Sequence, residues 1–407
     1  MQGVTVNPSI RRQRSLVAAC ALLLATFSAC SEANNSSQSL LTLAPEDGGN
    51  GLGGDIDFGT SPSDVTSSVA LEDVARSSPN VVDAQPPTVK DVASTGGADT
   101  SAVAPTPAPT VYATAKFQVA VTEDVVYGQG RVDTAWGTKT GKSTDLLLDI
   151  YQPKAKAKVR RPAVVVIHGG GFTGGSRKQG AIVAMAKYFA RRGWFAVSVD
   201  YRLAKNQGPV PKAWAEAVKS AKKVSQAMGI YPAGRDCKAA VRWLHANADK
   251  YQIDTERVSA TGGSAGAFLS VMLGTSFDGD FRDELSVAED PTLKSTHLDA
   301  AAKVATVIDL WGSGRMVEIL KGIDGKDRFD KSDAPVAIIH GTEDQTVVFK
   351  NAEQLRDQYI KTGVPHAFYP LEGAGHGPWK STYQGKALNV LAFDFMVKHL
   401  GLTVSKP

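Results

Sequence analysis

Ser264 stands at the centre of Gly262-Gly263-Ser264-Ala265-Gly266, a G-x-S-x-G pentapeptide. The run Arg257 to Thr261 before it reads as a strand, and the apolar segment from Ala265 reads as a helix. The serine therefore falls on a tight strand-to-helix turn, which strains its backbone and lifts its hydroxyl clear of the sheet. Glycines at 262 and 266 leave room for strand and helix to pass closely. A serine hydroxyl is a weak nucleophile: it needs a base, and the base needs an acid to orient it. Five histidines follow, His297, His340, His366, His376 and His399. His376 is the favoured base, because Gly375 and Gly377 set it on an unobstructed loop after the last strand. His340 closes a strand and His366 opens one, so both read as structural, and His399 lies in the terminal helix. For the acid, Asp344 in His340-Gly341-Thr342-Glu343-Asp344-Gln345-Thr346-Val347 is favoured. Glu343 and Asp309 are the alternatives.

Attack on a carbonyl creates an oxyanion, and backbone amides aimed at it must not be blocked by side chains. His168-Gly169-Gly170-Gly171-Phe172, directly after the β-branched run Pro162 to Ile167, has that composition. Gly169 and Gly170 are the expected oxyanion-hole donors, with the Ala265 amide as a third. A phosphate cradle is the competing reading of such a loop. It would require G-x-x-x-x-G-K-[ST] leading into a helix, which is absent.

The elements that must hold these residues alternate. Strands are predicted at Val119–Val126, Thr144–Tyr151, Pro162–Ile167, Trp194–Val199, Arg257–Thr261, Val304–Leu310, Pro335–Ile339 and His366–Leu371. Helices are predicted at Lys178–Arg192, Arg235–Lys250, from Ala265, at Phe349–Lys361 and at Gly385–Leu400. Strands alternating with helices imply an α/β fold, a mostly parallel central sheet flanked by helices.

The rest of the chain is built differently. Residues 1–30 carry Arg11, Arg12 and Arg14 before a twelve-residue apolar stretch, Leu16 to Phe27. That is shorter than the roughly 20 residues a membrane span needs and reads as an export signal. Phe27-Ser28-Ala29-Cys30 resembles a lipoprotein processing site, with Cys30 as the lipidated residue and the protein held at the bacterial cell envelope; the alternative is ordinary cleavage nearby and plain secretion, with Cys30 incidental. Residues 31–114 are rich in Ser, Thr, Pro, Gly, Ala and Asp. Such a composition buries too little apolar area to offset its ordering entropy, so the segment reads as a disordered tether. Gly48 to Asp57 is read as part of that linker rather than as a calcium loop. Residues 115–407 form the expected catalytic domain. If Cys20 leaves with the signal and Cys30 is lipidated, Cys237 alone remains and no intrachain disulfide forms. Cys237 then reads as a buried thiol. The formal net charge is +4. Residues 31–110 carry eleven acids against two bases, so the domain itself is basic. Its Lys and Arg are scattered, as on a solvated surface, and no nucleic-acid partner is expected.

With these residues in view, the sequence resembles the α/β-hydrolase superfamily, in its bacterial esterase/lipase branch. The likeness rests on Leu148-Asp149-Ile150-Tyr151, His168–Phe172, Val199-Asp200-Tyr201-Arg202-Leu203, Asp236–Ala246, Gly262–Gly266, His340–Val347 and Gly375-His376-Gly377. It spans about residues 145–400. The order Ser264, Asp344, His376 is the order of this fold. One departure stands beside the serine: hormone-sensitive-lipase-like members have Asp at the place of Gly263. The resemblance implies hydrolysis of small-molecule or polymer-borne carboxylic esters through an acyl-enzyme, without metal or cofactor. It also implies that Asp200 and Arg202 form a buried pair supporting the oxyanion loop, and that residues 204–234 lie over the site as a small cap or loop insertion, with Trp214 and Tyr231 as candidate pocket walls and plain packing as the alternative for each. The lipoprotein reading of Cys30 implies separately that the membrane is met only through that lipid. Two rivals stand beside it. A prolyl-oligopeptidase-type peptidase would share the catalytic core, against which the HGGGF signature and the lack of a propeller-sized N-terminal region are set. A non-catalytic binding module on this fold would be expected to lack a triad residue.

Overall fold

A computed structural model describes residues 108–133, 135–138 and 141–405. The expected export signal, Cys30 and nearly all of the expected tether lie outside these residues. The strands are β1 (Thr110–Tyr112), β2 (Val119–Val132), β3 (Lys142–Pro153), β4 (Arg161–Ile167), β5 (Phe195–Val199), β6 (Ile253–Gly263), β7 (Thr306–Leu310), β8 (Val336–Gly341), β9 (His366–Leu371), β10 (Thr382–Tyr383), β11 (Lys386–Ala387) and β12 (Thr403–Ser405). The helices are α1 (Gly180–Ala190), α2 (Lys212–Val218), α3 (Val224–Ala246), α4 (Ala248–Tyr251), α5 (Ala265–Thr275), α6 (Arg315–Asp324), α7 (Lys350–Thr362) and α8 (Leu388–His399).

Eight strands form one sheet in the order β2-β3-β5-β4-β6-β7-β8-β9. The β2/β3 and β3/β5 pairs are antiparallel, and every later pair is parallel. The central strands are apolar on both sides because both faces are covered. One face carries Val165, Ile167, Ala260 and Ile338 against α3 and α5. The other carries Val164, Val166, Ile308 and Ile339 against α1 and α8. The carboxyl ends of β4, β6, β7, β8 and β9 share one edge, so the loops that leave them share one crevice.

Two expectations are corrected. Residues 204–234 are largely helical: α2 lies inside them, and α3 begins at Val224 rather than near Arg235. Pro232 and two glycines, Gly229 and Gly234, lie inside α3, and the glycines are contact points. A Cβ on Gly229 would stand 2.9 Å from the Ala204 Cα, and one on Gly234 2.7 Å from the Phe281 ring. Close packing holds the helix together through its proline. The ordered fold also begins before residue 115, because β1 pairs in parallel with β12 and buries Val111 completely.

Candidate active site

Ser264 closes β6 and opens α5 with φ +57° and ψ −123°, a left-handed conformation that costs a non-glycine residue on the order of 1–3 kcal/mol. Its neighbours hold it there. The Ser264 amide donates to the Leu310 carbonyl at 2.9 Å, and its own carbonyl accepts from the amides of Ala267 and Phe268. A Cβ on Gly266 would stand 2.1 Å from the Ile167 carbonyl oxygen, so only glycine lets α5 leave past the end of β4.

The three expected residues meet. Ser264 Oγ lies 3.0 Å from His376 Nε2, and His376 Nδ1 lies 2.7 Å from Asp344 Oδ2. With the proton on Nδ1, the imidazole donates to Asp344 and accepts from the serine hydroxyl. The Asp344 side chain is fully buried. Its other oxygen accepts from the amides of Thr346 and Val347. Burial alone would raise the carboxyl. Hydrogen bonds from His340 and His376, the charge of His376 and the Val347 amide outweigh it and hold Asp344 well below the ordinary carboxylate range. The acid and base loops are also tied to each other, by Gly373 N to Thr342 Oγ1 at 2.9 Å and Glu343 N to the Ala374 carbonyl at 3.0 Å.

The alternatives lie elsewhere. Glu343 faces solvent. Asp309 is buried at the end of β7, away from the imidazole hydrogen bonds. His297 is exposed, His366 rests on the Val364 carbonyl, and His399 packs on Phe395. His340 supports the acid loop: its Nε2 is 2.6 Å from the Val347 carbonyl and 3.2 Å from Asp344 Oδ2.

The oxyanion loop lies against the serine, since a Cβ on Gly169 would stand 3.4 Å from Ser264 Cβ. Gly170 has φ +112° and Phe172 φ +61°, so the loop folds back on itself, with Thr173 and Gly174 amides on the Gly170 carbonyl. Ala265 is the first residue of α5, so its amide has no acceptor within that helix. The His168 ring stacks on Tyr201 at 4.2 Å, and Tyr201 Oη donates to the His168 carbonyl. Burial lowers the His168 pKa, which keeps the ring neutral.

The expected Asp200–Arg202 pair is not formed. Arg202 forks onto both oxygens of Asp236 in α3, the closest contact being 2.7 Å. Asp200 instead pairs with Arg177, which also binds Asp124 and reaches Asp149 at 2.8 Å. Each side chain has a partner better placed than the other. Arg177 escaped the sequence reading because its three carboxylates come from separate segments. Trp214 and Tyr231 are fully buried and pack with Phe281. They border a cavity of about 680 Å³ that also meets Met228, Leu285 and Leu320. Ser264, Asp344 and His376 are not in its wall. Cys237 is buried, as expected.

Two tryptophans that sequence reasoning passed over lie beside the serine. Trp311, directly after β7, is buried with φ +49°. Trp379 follows His376 on the same loop and is half-buried. Their rings meet edge to face at 4.9 Å, and Trp311 lies 6.5 Å from the His376 ring. A Cβ on Gly263 would stand 2.8 Å from Trp379 Cζ2 and 3.0 Å from Trp311 Cζ2. This explains glycine where an acid was the familiar residue.

Sheet order, strained serine turn and the positions of the three side chains define an α/β hydrolase. The sequence pattern of the prolyl oligopeptidase family matches residues 182–403, and the chain belongs to that family. It is 24% identical over 254 residues to Esterase LipC of Mycobacterium tuberculosis, covering 57% of this chain and 56% of that one. It is 31% identical over 131 residues to Carboxylesterase NlhH of the same organism, covering 32% and 34%. The matches thus span about half the length of these curated relatives, or less. Among solved structures, the propionate-bound thermophilic esterase of Thermogutta terrifontis superposes with a TM-score of 0.50 at 24% identity, over 70% of this chain and 96% of that one. That likeness bears on the fold.

Proposed function

We propose that this chain is a carboxylesterase-type serine hydrolase acting on small or short-acyl esters. The observation that carries the reading is the hydrogen-bonded run Asp344–His376–Ser264. In acylation, Ser264 Oγ bonds to the ester carbonyl carbon as His376 Nε2 takes the hydroxyl proton. The oxyanion is held by the amides of Gly169, Gly170 and Ala265. Asp344, ionised throughout, orients the imidazole and stabilises its charged form. Collapse of the tetrahedral adduct breaks the bond to the alcohol oxygen, which receives the proton from His376. Water, deprotonated by the same nitrogen, then releases the acid and restores the serine. No step requires a metal or cofactor.

A peptidase reading is favoured by the family itself, and esterase is preferred because the relatives above are named as esterases. The test is turnover of p-nitrophenyl esters against aminoacyl-p-nitroanilides, with fluorophosphonate labelling. Ser264→Ala is expected to abolish labelling and turnover, and Asp344→Asn to lower kcat about 10⁴-fold by favouring the wrong imidazole tautomer. Labelling that persists in a folded Ser264→Ala protein would refute the assignment. Anilide turnover exceeding ester turnover would make the peptidase reading the right one.

A further inference from the structure

We propose that Trp379 is the leaving-group wall of this site, so that the chain prefers esters of flat aromatic alcohols to esters of small aliphatic alcohols bearing the same acyl group. This rests on the roles of Ser264 and His376 given above.

The oxyanion loop and the catalytic imidazole approach Ser264 from opposite sides. In the sheet, β6 lies between β4 and β7. The oxyanion loop leaves β4 and meets the serine turn from that side: a Cβ on Gly169 would stand 2.8 Å from the Gly263 carbonyl oxygen. His376 follows β9 and reaches the serine from the opposite side, across β8 and β7. An ester under attack must turn its carbonyl oxygen toward the oxyanion loop. Its alcohol oxygen must lie within reach of His376 Nε2, because that nitrogen returns the proton. The group on that oxygen is thereby directed to the His376 side. Trp379 stands there, with Cζ2 against the residue preceding the nucleophile.

The indole is fixed as well as near. Trp311 meets it perpendicularly at 4.9 Å, and Trp311 is itself buried beside Leu310, whose carbonyl holds the Ser264 amide. Trp379, unlike Trp311, is not fully buried, so it keeps surface that a substrate can meet. A rigid aromatic plane gains most from another ring, by offset stacking or an edge-to-face contact, and little from a methyl or ethyl group.

The wall acts on one half of the reaction. The alcohol is present during acylation and gone before deacylation. Replacing Trp379 should therefore change the first step and spare the second. The experiment compares phenyl acetate with ethyl acetate, which share an acetyl-enzyme, in the wild type, Trp379→Ala and Trp379→Phe. Trp379→Ala is expected to lose about five- to tenfold in kcat/KM on phenyl acetate, as for one aromatic contact, and under about twofold on ethyl acetate. Acetyl-enzyme breakdown, followed in single turnovers, should be unchanged, and Trp379→Phe should keep most of the phenyl preference. If the alanine variant fails to fold, Trp379→Leu retains bulk without the plane and reads the same ratio. Equal losses on both esters would overturn the proposal in favour of a packing role. So would a loss confined to deacylation or tracking acyl length, which would place Trp379 on the acyl side. If Ser264→Ala keeps wild-type turnover, the serine-hydrolase reading itself fails, whatever the Trp379 ratios show.

Discussion

Asp309 shows how a single residue can carry a cost that its neighbours do not relieve. It is fully buried between β6 and β8, level with Gly262 on one side and Ile338 on the other. Neither carboxylate oxygen has a well-formed hydrogen bond among the described residues. Burial pushes its carboxyl up to about 7, with His340 and the Gly312 amide pulling less strongly the other way. The unfolded chain loses this proton near pH 4, whereas the folded chain keeps it to about pH 7. Stability from the neutral carboxyl is thus full below about pH 4 and is lost as pH rises toward 7. Compared with Asp309→Asn, the wild type should lose a few kcal/mol between pH 4 and pH 8, read from urea midpoints of the two proteins. Parallel pH curves would show that Asp309 does not titrate in this window. Asp333, also raised by burial, is common to both proteins and drops out of the difference. The burial of Asp309 was not legible in the sequence, where it ranked only as a spare triad acid. Ser264, Asp344 and His376 were legible because each sits in a short glycine-marked loop whose geometry is local. Gly263 was visible as a departure but without a reason, since the reason is two indoles from other loops.

At the scale of elements, the same division holds. The central strands were readable because burial on both faces makes them continuously apolar. The start of α3 was not, because its glycines serve contacts with Ala204 and Phe281 that only tertiary structure creates. Arg177 is the sharpest case. It lies between the oxyanion loop and α1, and gathers Asp124 from β2, Asp149 from β3 and Asp200 from the end of β5. Those hydrogen bonds outweigh burial and raise the guanidinium pKa, so the charge is permanent. Asp149 is buried, and this arginine is its charged partner, beside a hydrogen bond from the Asp124 amide at 2.9 Å. Arg177→Met should cost about 3–5 kcal/mol, because it leaves a buried carboxylate without its countercharge. Arg177→Lys keeps the charge but loses the fork, so an intermediate loss is expected. Chemical denaturation checks both. A change under about 0.5 kcal/mol in Arg177→Met would mean that the network contributes nothing net.

At the scale of the whole molecule, the described chain is closed by its ends. Composition placed the start of the domain at residue 115, because the stretch 31–114 is rich in Ser, Thr, Pro, Gly, Ala and Asp, and three strand-favouring residues, Thr110-Val111-Tyr112, do not stand out at its end. A three-residue strand has no periodicity to detect, and its partner, β12, lies at the far end of the sequence. Yet Val111 is fully buried in the cluster that includes Phe189, Trp194 and Leu402. The Tyr112 and Phe117 amides bond to the carbonyls of Arg192 and Arg191, and the Thr403 amide bonds to the Pro109 carbonyl. The segment therefore clamps the turn after α1 to the strand after α8. Burying one valine is worth roughly 1.5–3 kcal/mol, and the amides freed with it add to the loss. A chain begun at residue 115 should be less stable than one begun at residue 108 by at least about 2 kcal/mol. Val111→Asp in the longer chain should reproduce most of that loss, through a buried charge without a partner. Both are read from urea midpoints at constant slope, since the slope reports the surface exposed on unfolding. The active-site loops leave the carboxyl ends of the sheet strands, whereas the clasp sits on the turn that leads into the amino end of β5, so fluorophosphonate labelling below the transition should be equal in all three chains. Equal midpoints for the two starts would show that the clasp adds nothing and that residue 115 is the working boundary.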